Sequence, residues 1–253
     1  MKYTTPEWFR LTEVLTPQTF SRIGDAVENC QLSMQTKYSP LLAYWFMCDS
    51  FYLACEVNQK GMHANALALT RQSIEALGVV ELGICKKEGA EEALAKWNGD
   101  NLKPGNLRAW LQNNVWQTYG PGLWNEPWSD FMREFAKAIQ PYAHYCRDLA
   151  QWQQRLKNVT SEDDGSITAQ IEIAPRAYDP QKATRISLFH AILTFALGRI
   201  WIAANPQDTE FSALIFRLGE ALGKSEYLDG HSTDWGQQFW AMLWAGNGKL
   251  LLE

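Results

Sequence analysis

Two long apolar runs place the strongest constraint on the fold of this chain. The first is SPLLAYWFMCDSFYLACEV, residues 39–57, and the second is SLFHAILTFALGRIWIAA, residues 187–204. Each approaches the length of a membrane-spanning helix, but Asp49 interrupts the first run, and His190 and Arg199 interrupt the second. A charge at the centre of a bilayer costs about 3 kcal/mol. We therefore expect no membrane span, and two helices that are buried at the centre of a bundle instead.

Most of the remaining sequence also shows the apolar spacing of amphipathic helices. Residues 6–15 and 18–36 are predicted as two separate opening helices. Residues 64–97 carry the strongest uninterrupted helical pattern, and a long helix is predicted over residues 129–158, kinked or divided at Pro141. The sequence thus predicts a mainly-α fold.

One segment departs from this pattern. The isoleucines at 167, 171 and 173 alternate with polar residues, which is the period of a half-buried β-strand. A lone strand leaves its backbone groups unpaired, so it needs a partner strand, either nearby in the chain or in a second copy. The expected architecture is one helical domain over residues 1–253 with two buried central helices and a small β insertion around residues 165–175. We expect the chain to form a homo-oligomer.

Composition and charge limit the classes of partner. The 253 residues are 46% hydrophobic, which is enough for a sizeable core, and the net charge of −5 argues against broad coating of nucleic acid or anionic membrane. The five cysteines are odd in number and contain no CxxC pair, so no disulfide framework or zinc knuckle is indicated. The N-terminal residues lack the pattern of a secretion signal. A reducing cytoplasm fits these features best.

The common motifs of metal and nucleotide chemistry are absent from the sequence. It contains no HExxH, no P-loop and no GxGxxG, and no Glu-x-x-His pair of the kind that holds metals in helical bundles. We therefore expect neither a metal nor a cofactor.

The first candidate site is the pair Arg185 and His190 in RISLFH. Metal-free RNA cleavage needs a base for the 2′-hydroxyl proton and a cation for the phosphate, and these two residue types meet both needs. Five residues on a regular helix amount to about 500°, which leaves the side chains about 140° apart. They converge only if Arg185 lies at the helix entry, where Thr184 is a candidate cap, or if another subunit completes the pocket. The alternative is a hydrogen-bonded core histidine beside a solvated arginine.

The second candidate is the group His144, Arg147 and Asp148. At positions i, i+3 and i+4 they share one face if the segment is helical, so Asp148 can orient the imidazole while Arg147 binds a phosphate or carboxylate. The alternative is an ordinary surface ion-pair ladder. If both clusters face one cleft, their histidines and arginines form a basic pocket.

The third candidate is the pair Arg71 and Glu75, four residues apart on an otherwise apolar helix. Burying either charge alone is costly, so we expect a structural pair in which each bonds the other or a facing helix. Trp116, Trp124 and Trp128 lie in a loop-rich region, where they serve either as ring platforms for a ligand or as packing of loops onto the bundle.

Two segments give a resemblance to a known family. ALALTRQSIEALGVVELG and PYAHYCRDLAQW resemble helices of bacterial proteins similar to the HEPN superfamily, and RISLFH resembles the R-x4-6-H signature of HEPN ribonucleases. The resemblance implies an all-helical, dimerising, metal-independent endoribonuclease of toxin–antitoxin or phage-defence systems. Arg185 would then bind phosphate, and His190 or His144 would act as base. Ile186 departs from the family, in which a polar residue commonly follows the arginine.

These observations lead to one leading function and two alternatives. The leading expectation is a HEPN-like ribonuclease acting as a toxin or defence effector, with RNA as substrate and an antitoxin or defence component as protein partner. The first alternative is a non-catalytic interaction or scaffold protein that self-associates through residues 167–173. The second is a small-ligand sensor that uses a basic pocket.

Overall fold

The computed structural model of the protein describes residues 5–142, 144–161, 163–173, 176 and 178–225. The α-helices within these residues are α1 Glu7–Glu28, α2 Met34–Gln59, α3 His63–Ile84, α4 Ala90–Asn98, α5 Pro104–Asn114, α6 Trp128–Ile139, α7 Arg147–Gln151, α8 Pro180–Ala204 and α9 Thr209–Gly223. The strands are β1 Gln154–Ser161 and β2 Ile167–Ile173. The predicted mainly-α helical bundle with a small β insertion is confirmed.

Two helices, α3 and α8, form the buried centre of the bundle. Helix α8 packs against α1, α3 and α9, and most of its side chains are buried. It starts at Pro180 because the Asp179 side chain accepts hydrogen bonds from the backbone N–H groups of Gln181 (2.9 Å) and Lys182 (3.2 Å). Among the described helices, α8 alone is long and apolar enough to cross a membrane, and 78% of its most apolar part is buried inside the protein.

The first apolar run is less buried than predicted. Helix α2 packs closely on α3, because Gly83 leaves room for Pro40 where a Cβ atom would lie only 2.5 Å from the proline Cβ. Its other side is exposed, so the expectation that residues 39–57 are buried all round is wrong, and α3 occupies the central position instead. The exposed apolar residues on α2 are Met34, Tyr38, Leu42, Trp45, Phe46, Tyr52 and Leu53.

Several helix boundaries differ from the sequence prediction. Helix α1 continues through Pro17 as a single helix, since Leu15, Phe20 and Ile23 are buried along one face and hold both halves against the core. The predicted helix over residues 64–97 divides into α3 and α4 around Gly89, whose φ of +81° places it in the left-handed region that glycine tolerates.

The β insertion is an antiparallel hairpin. Strand β2 pairs with β1 in a register that matches Gln154 to Ile173 and Ser161 to Ile167. The partner strand therefore lies nearby in the chain, within a segment predicted as helix, because cross-strand pairing outweighs the helical pattern there. The isoleucines at 167, 171 and 173 are 64%, 50% and 78% exposed, so the expected burial of this face is wrong in the described chain.

Candidate functional site

A cleft of about 790 Å³ lies between α2, α3, α5 and α6. Its walls are mainly apolar, and at its α2 edge Leu42 and Phe46 are 66% and 51% exposed. Helix α5 lies close to α3 because Gly78 leaves room for Leu107, whose Cδ2 atom would be 2.7 Å from a Cβ at this position. The apolar side chains that line the cleft include Leu42, Phe46, Ile74, Leu77, Trp97, Leu107, Leu111, Met132, Phe135 and Ile139. Clefts of this size and character typically hold small organic ligands.

A buried carboxylic acid lies beneath the cleft. Glu81 lines its floor yet is fully buried, and both of its oxygens accept from the Trp116 indole Nε1, at 3.0 and 3.1 Å. The Tyr119 hydroxyl also donates to Glu81. Burial raises the pKa of Glu81 to about 7, although these two donors act in the opposite direction. Trp116 and Trp128 are themselves buried, which identifies them as packing residues.

Arg71 and Glu75 lie on the cleft wall and form an ion pair with each other. The pair lies one helical turn from Gly78, so its charges are presented to the same cavity. Since the two charges offset one another, the pair contributes a dipole and no net charge to the cleft.

His190 is enclosed between α2, α3 and α8. It is 4% exposed, and its ring packs on Phe51 with 4.7 Å between ring centroids. The Thr70 hydroxyl donates to the Ala66 carbonyl, so the histidine Nε2 must donate to Thr70, at 2.7 Å. Nδ1 is left as an acceptor for the Cys55 thiol at 3.4 Å, and burial raises the pKa of that thiol to about 11.

This environment keeps the imidazole neutral. Desolvation lowers the pKa of His190 to about 3, because a charged ring would face a thiol donor and an apolar enclosure. A general base works best with a pKa near the operating pH and needs contact with its substrate. The enclosed His190 has neither property.

Arg185 does not lie at the helix entry. Helix α8 begins at Pro180, five residues earlier, and its cap is Asp179. The predicted capping role of Thr184 is wrong, since its hydroxyl donates to the Pro180 carbonyl within the helix. Arg185 and His190 thus lie on one continuous helix, about 140° apart, and both are 4% exposed.

The predicted group at residues 144–148 does not share a helix face. Helix α6 ends at Ile139, since Pro141 has no N–H to continue the ladder, and α7 begins only at Arg147. His144 therefore precedes the helix, in a bend, and is exposed, as is Arg147. The side chain of Asp148 lies outside the described part of the structure. Neither this group nor Arg185 and His190 lines the cleft.

Searches of protein-family models, curated proteins and solved structures find no match to this chain. The resemblance to HEPN proteins therefore stays a prediction. In the part of the chain that the structure describes, no three His, Cys, Asp or Glu side chains come together as a metal site requires.

Sequence reasoning missed the cleft and its Arg108. This arginine lies on the second turn of α5, exposed at the cleft wall. The segment NLRAWLQNN shows where α5 is apolar, but its pattern contains no sign that α5 stands across a cavity from α2 and α6. The position of α5 beside the cavity depends on the tertiary packing around Gly78.

Proposed function

We propose that this protein binds a small organic molecule in the cleft between α2, α3, α5 and α6, as a ligand-binding or ligand-sensing module. The observation that supports this function is the cavity of about 790 Å³, with apolar walls and a few charged side chains. The uncovered Leu42 and Phe46 give a ligand an apolar surface to cover. Unlike the basic pocket expected from the sequence, this site is formed by α2, α3, α5 and α6, and none of the three described histidines lines it.

A substitution that fills the cleft tests the proposal. Ala136 lines the cleft on α6 and is partly exposed, so Ala136→Phe places a ring in the cavity while keeping the helix. We expect the neutral fluorescent probe N-phenyl-1-naphthylamine to bind the unsubstituted protein with one site per chain, and the variant to bind it about tenfold more weakly or worse. The measurement is a fluorescence titration.

The matched control is Ala109→Phe. Ala109 is exposed on α5, next to Arg108, and does not line the cleft, so it adds the same ring outside the cavity. Probe binding that is equal in both variants, or absent from the unsubstituted protein, would overturn the proposal.

A metal-independent ribonuclease remains a second candidate function, together with its expected roles in a toxin or defence system. The observation that favours it is the exposure of His144 and Arg147, which leaves a base and a cation accessible to RNA. RNA, an antitoxin or defence partner and a homo-oligomer stay predictions with it. Such a nuclease would act through His144 and without the enclosed His190.

Cleavage of RNA in the presence of EDTA tests the second candidate. We expect His144→Gln and Arg147→Gln each to lower the cleavage rate at least about a hundredfold, as removal of a general base or phosphate ligand does. His190→Gln serves as the comparison and should keep the rate. An unsubstituted protein that leaves RNA intact would eliminate this function. Loss of cleavage in His190→Gln alone would indicate that the catalytic site contains His190 and not His144.

A further inference from the structure

We infer that the ligand of the cleft is an amphipathic anion, in the simplest case an alkyl carboxylate, whose charged head is held by Arg108 and whose apolar chain lies along the cleft wall. This inference rests on the proposed function and specifies its ligand class. It depends on the charges that line the cavity, on the end of α5 and on the distribution of apolar side chains.

Four ionisable groups line the cleft, and three of them have bonding partners within the protein. Arg71 and Glu75 are paired with each other. Glu81 is fully buried and bonded to Trp116, so it does not reach the cavity as a free anion. Arg108 remains, and within the described residues it has no ion-pair or hydrogen-bond partner. Arg108 is therefore the charged side chain of the cleft that has no partner among the described residues.

The position of Arg108 near the start of α5 also favours an anionic ligand. It lies near the N-terminal end of α5, whose first residue, Pro104, also lines the cleft. No side chain caps this end, and its first turn carries no acidic residue. The positive end of the helix dipole therefore favours an anion near the same place.

The walls that α2 and α6 contribute to the cleft are mainly apolar and suit a hydrocarbon chain. Phe46 of α2 and Met132, Phe135 and Ile139 of α6 provide this surface. A ligand with one anionic end and one apolar end satisfies both sides of the cavity. A cationic amphipath would place like charges together at Arg108, and a neutral one would leave the arginine without a partner.

Competition by matched amphipaths tests the inference. Decanoate and decanol share one alkyl chain and differ in head group, and each is used to displace N-phenyl-1-naphthylamine from the full chain. We expect decanoate to bind about tenfold more tightly than decanol, which is the effect of a hydrogen bond to a charged group. Arg108→Gln should remove this difference by weakening decanoate while leaving decanol unchanged, which also shows that the variant is folded.

The control variant is Lys103→Gln. Lys103 is exposed at the same end of α5 but does not line the cleft, so its removal changes the charge of the region without removing the proposed contact. We expect it to keep the preference for decanoate. If both variants lose the preference for decanoate equally, the role of Arg108 is overturned. Equal binding of decanoate and decanol to the unsubstituted protein would also overturn it, and so would tighter binding of decylamine than of decanoate. Failure of the probe itself to bind is a different result, which would overturn the proposed function.

Discussion

His190→Gln is expected to make the stability of this protein less sensitive to acid. The pKa of His190 is about 3 in the folded protein, where desolvation disfavours the charged ring, against an ordinary value of 6.5. Below about pH 6.5 the unfolded chain binds a proton that the folded chain does not, so stability falls as the pH decreases through this range. From about pH 7.5 to about pH 5 this one group should remove about 2 kcal/mol from the free energy of unfolding.

Glutamine can donate to Thr70 and accept from Cys55, but it does not titrate, so the variant should lack this loss. The measurement is urea denaturation of both proteins at several pH values. His144→Gln is the control, because His144 is exposed, and its profile should follow that of the unsubstituted protein. Parallel profiles for His190→Gln and the unsubstituted protein would show that the ring is not held neutral by burial.

Glu81→Gln is expected to change the pH dependence of the free energy of unfolding in the opposite direction. Desolvation raises the pKa of Glu81 to about 7 from an ordinary value of 4.5. Between about pH 4.5 and about pH 7 the folded chain binds a proton that the unfolded chain has lost, so this group stabilises the fold as the pH decreases. The gain from about pH 7.5 to about pH 5 should be about 2 kcal/mol, and it should be absent from the variant.

The two effects offset each other in the unsubstituted protein, so only the variants separate them. The control for Glu81 is Glu88→Gln, which removes an exposed carboxylate close by in the chain. If Glu81→Gln still gains stability as the pH decreases, another group is responsible for that gain. His63 acts in the same direction as His190, since burial lowers its pKa to about 4, and it remains in all of these variants.

The fold class was predictable because it depends on periodicity, whereas the site depends on which helices meet. The apolar spacing of α8 predicts a central helix, and the alternation around Ile171 predicts a strand. The same local patterns do not reveal that α3 rather than α2 lies at the centre, because this depends on which helices pack against each of them. Nor do they reveal that residues 154–158 pair with β2, since a strand depends on its hydrogen-bonded partner and not on its own apolar pattern alone.

The candidate residues show the same division. That Arg71 and Glu75 bond each other follows from their i, i+4 spacing, which is a local property. The enclosure of His190 by Thr70, Cys55 and Phe51 involves residues more than one hundred positions away in the sequence, and no motif records it. Arg108 stands out only when the cavity beside it is known.

The contact between Gly78 and Leu107 has a consequence for selectivity. At this point the backbone of α3 packs directly against the buried Leu107 of α5, which fixes the distance between the two helices. The width of the cleft is therefore set by helix packing and not by side chains that can move. Charged residues at the rim can choose the head group of a ligand, but they cannot change the thickness of the chain that follows it. A larger residue at position 78 would move α5 outward, and the protein would then admit bulkier molecules than the present cleft does.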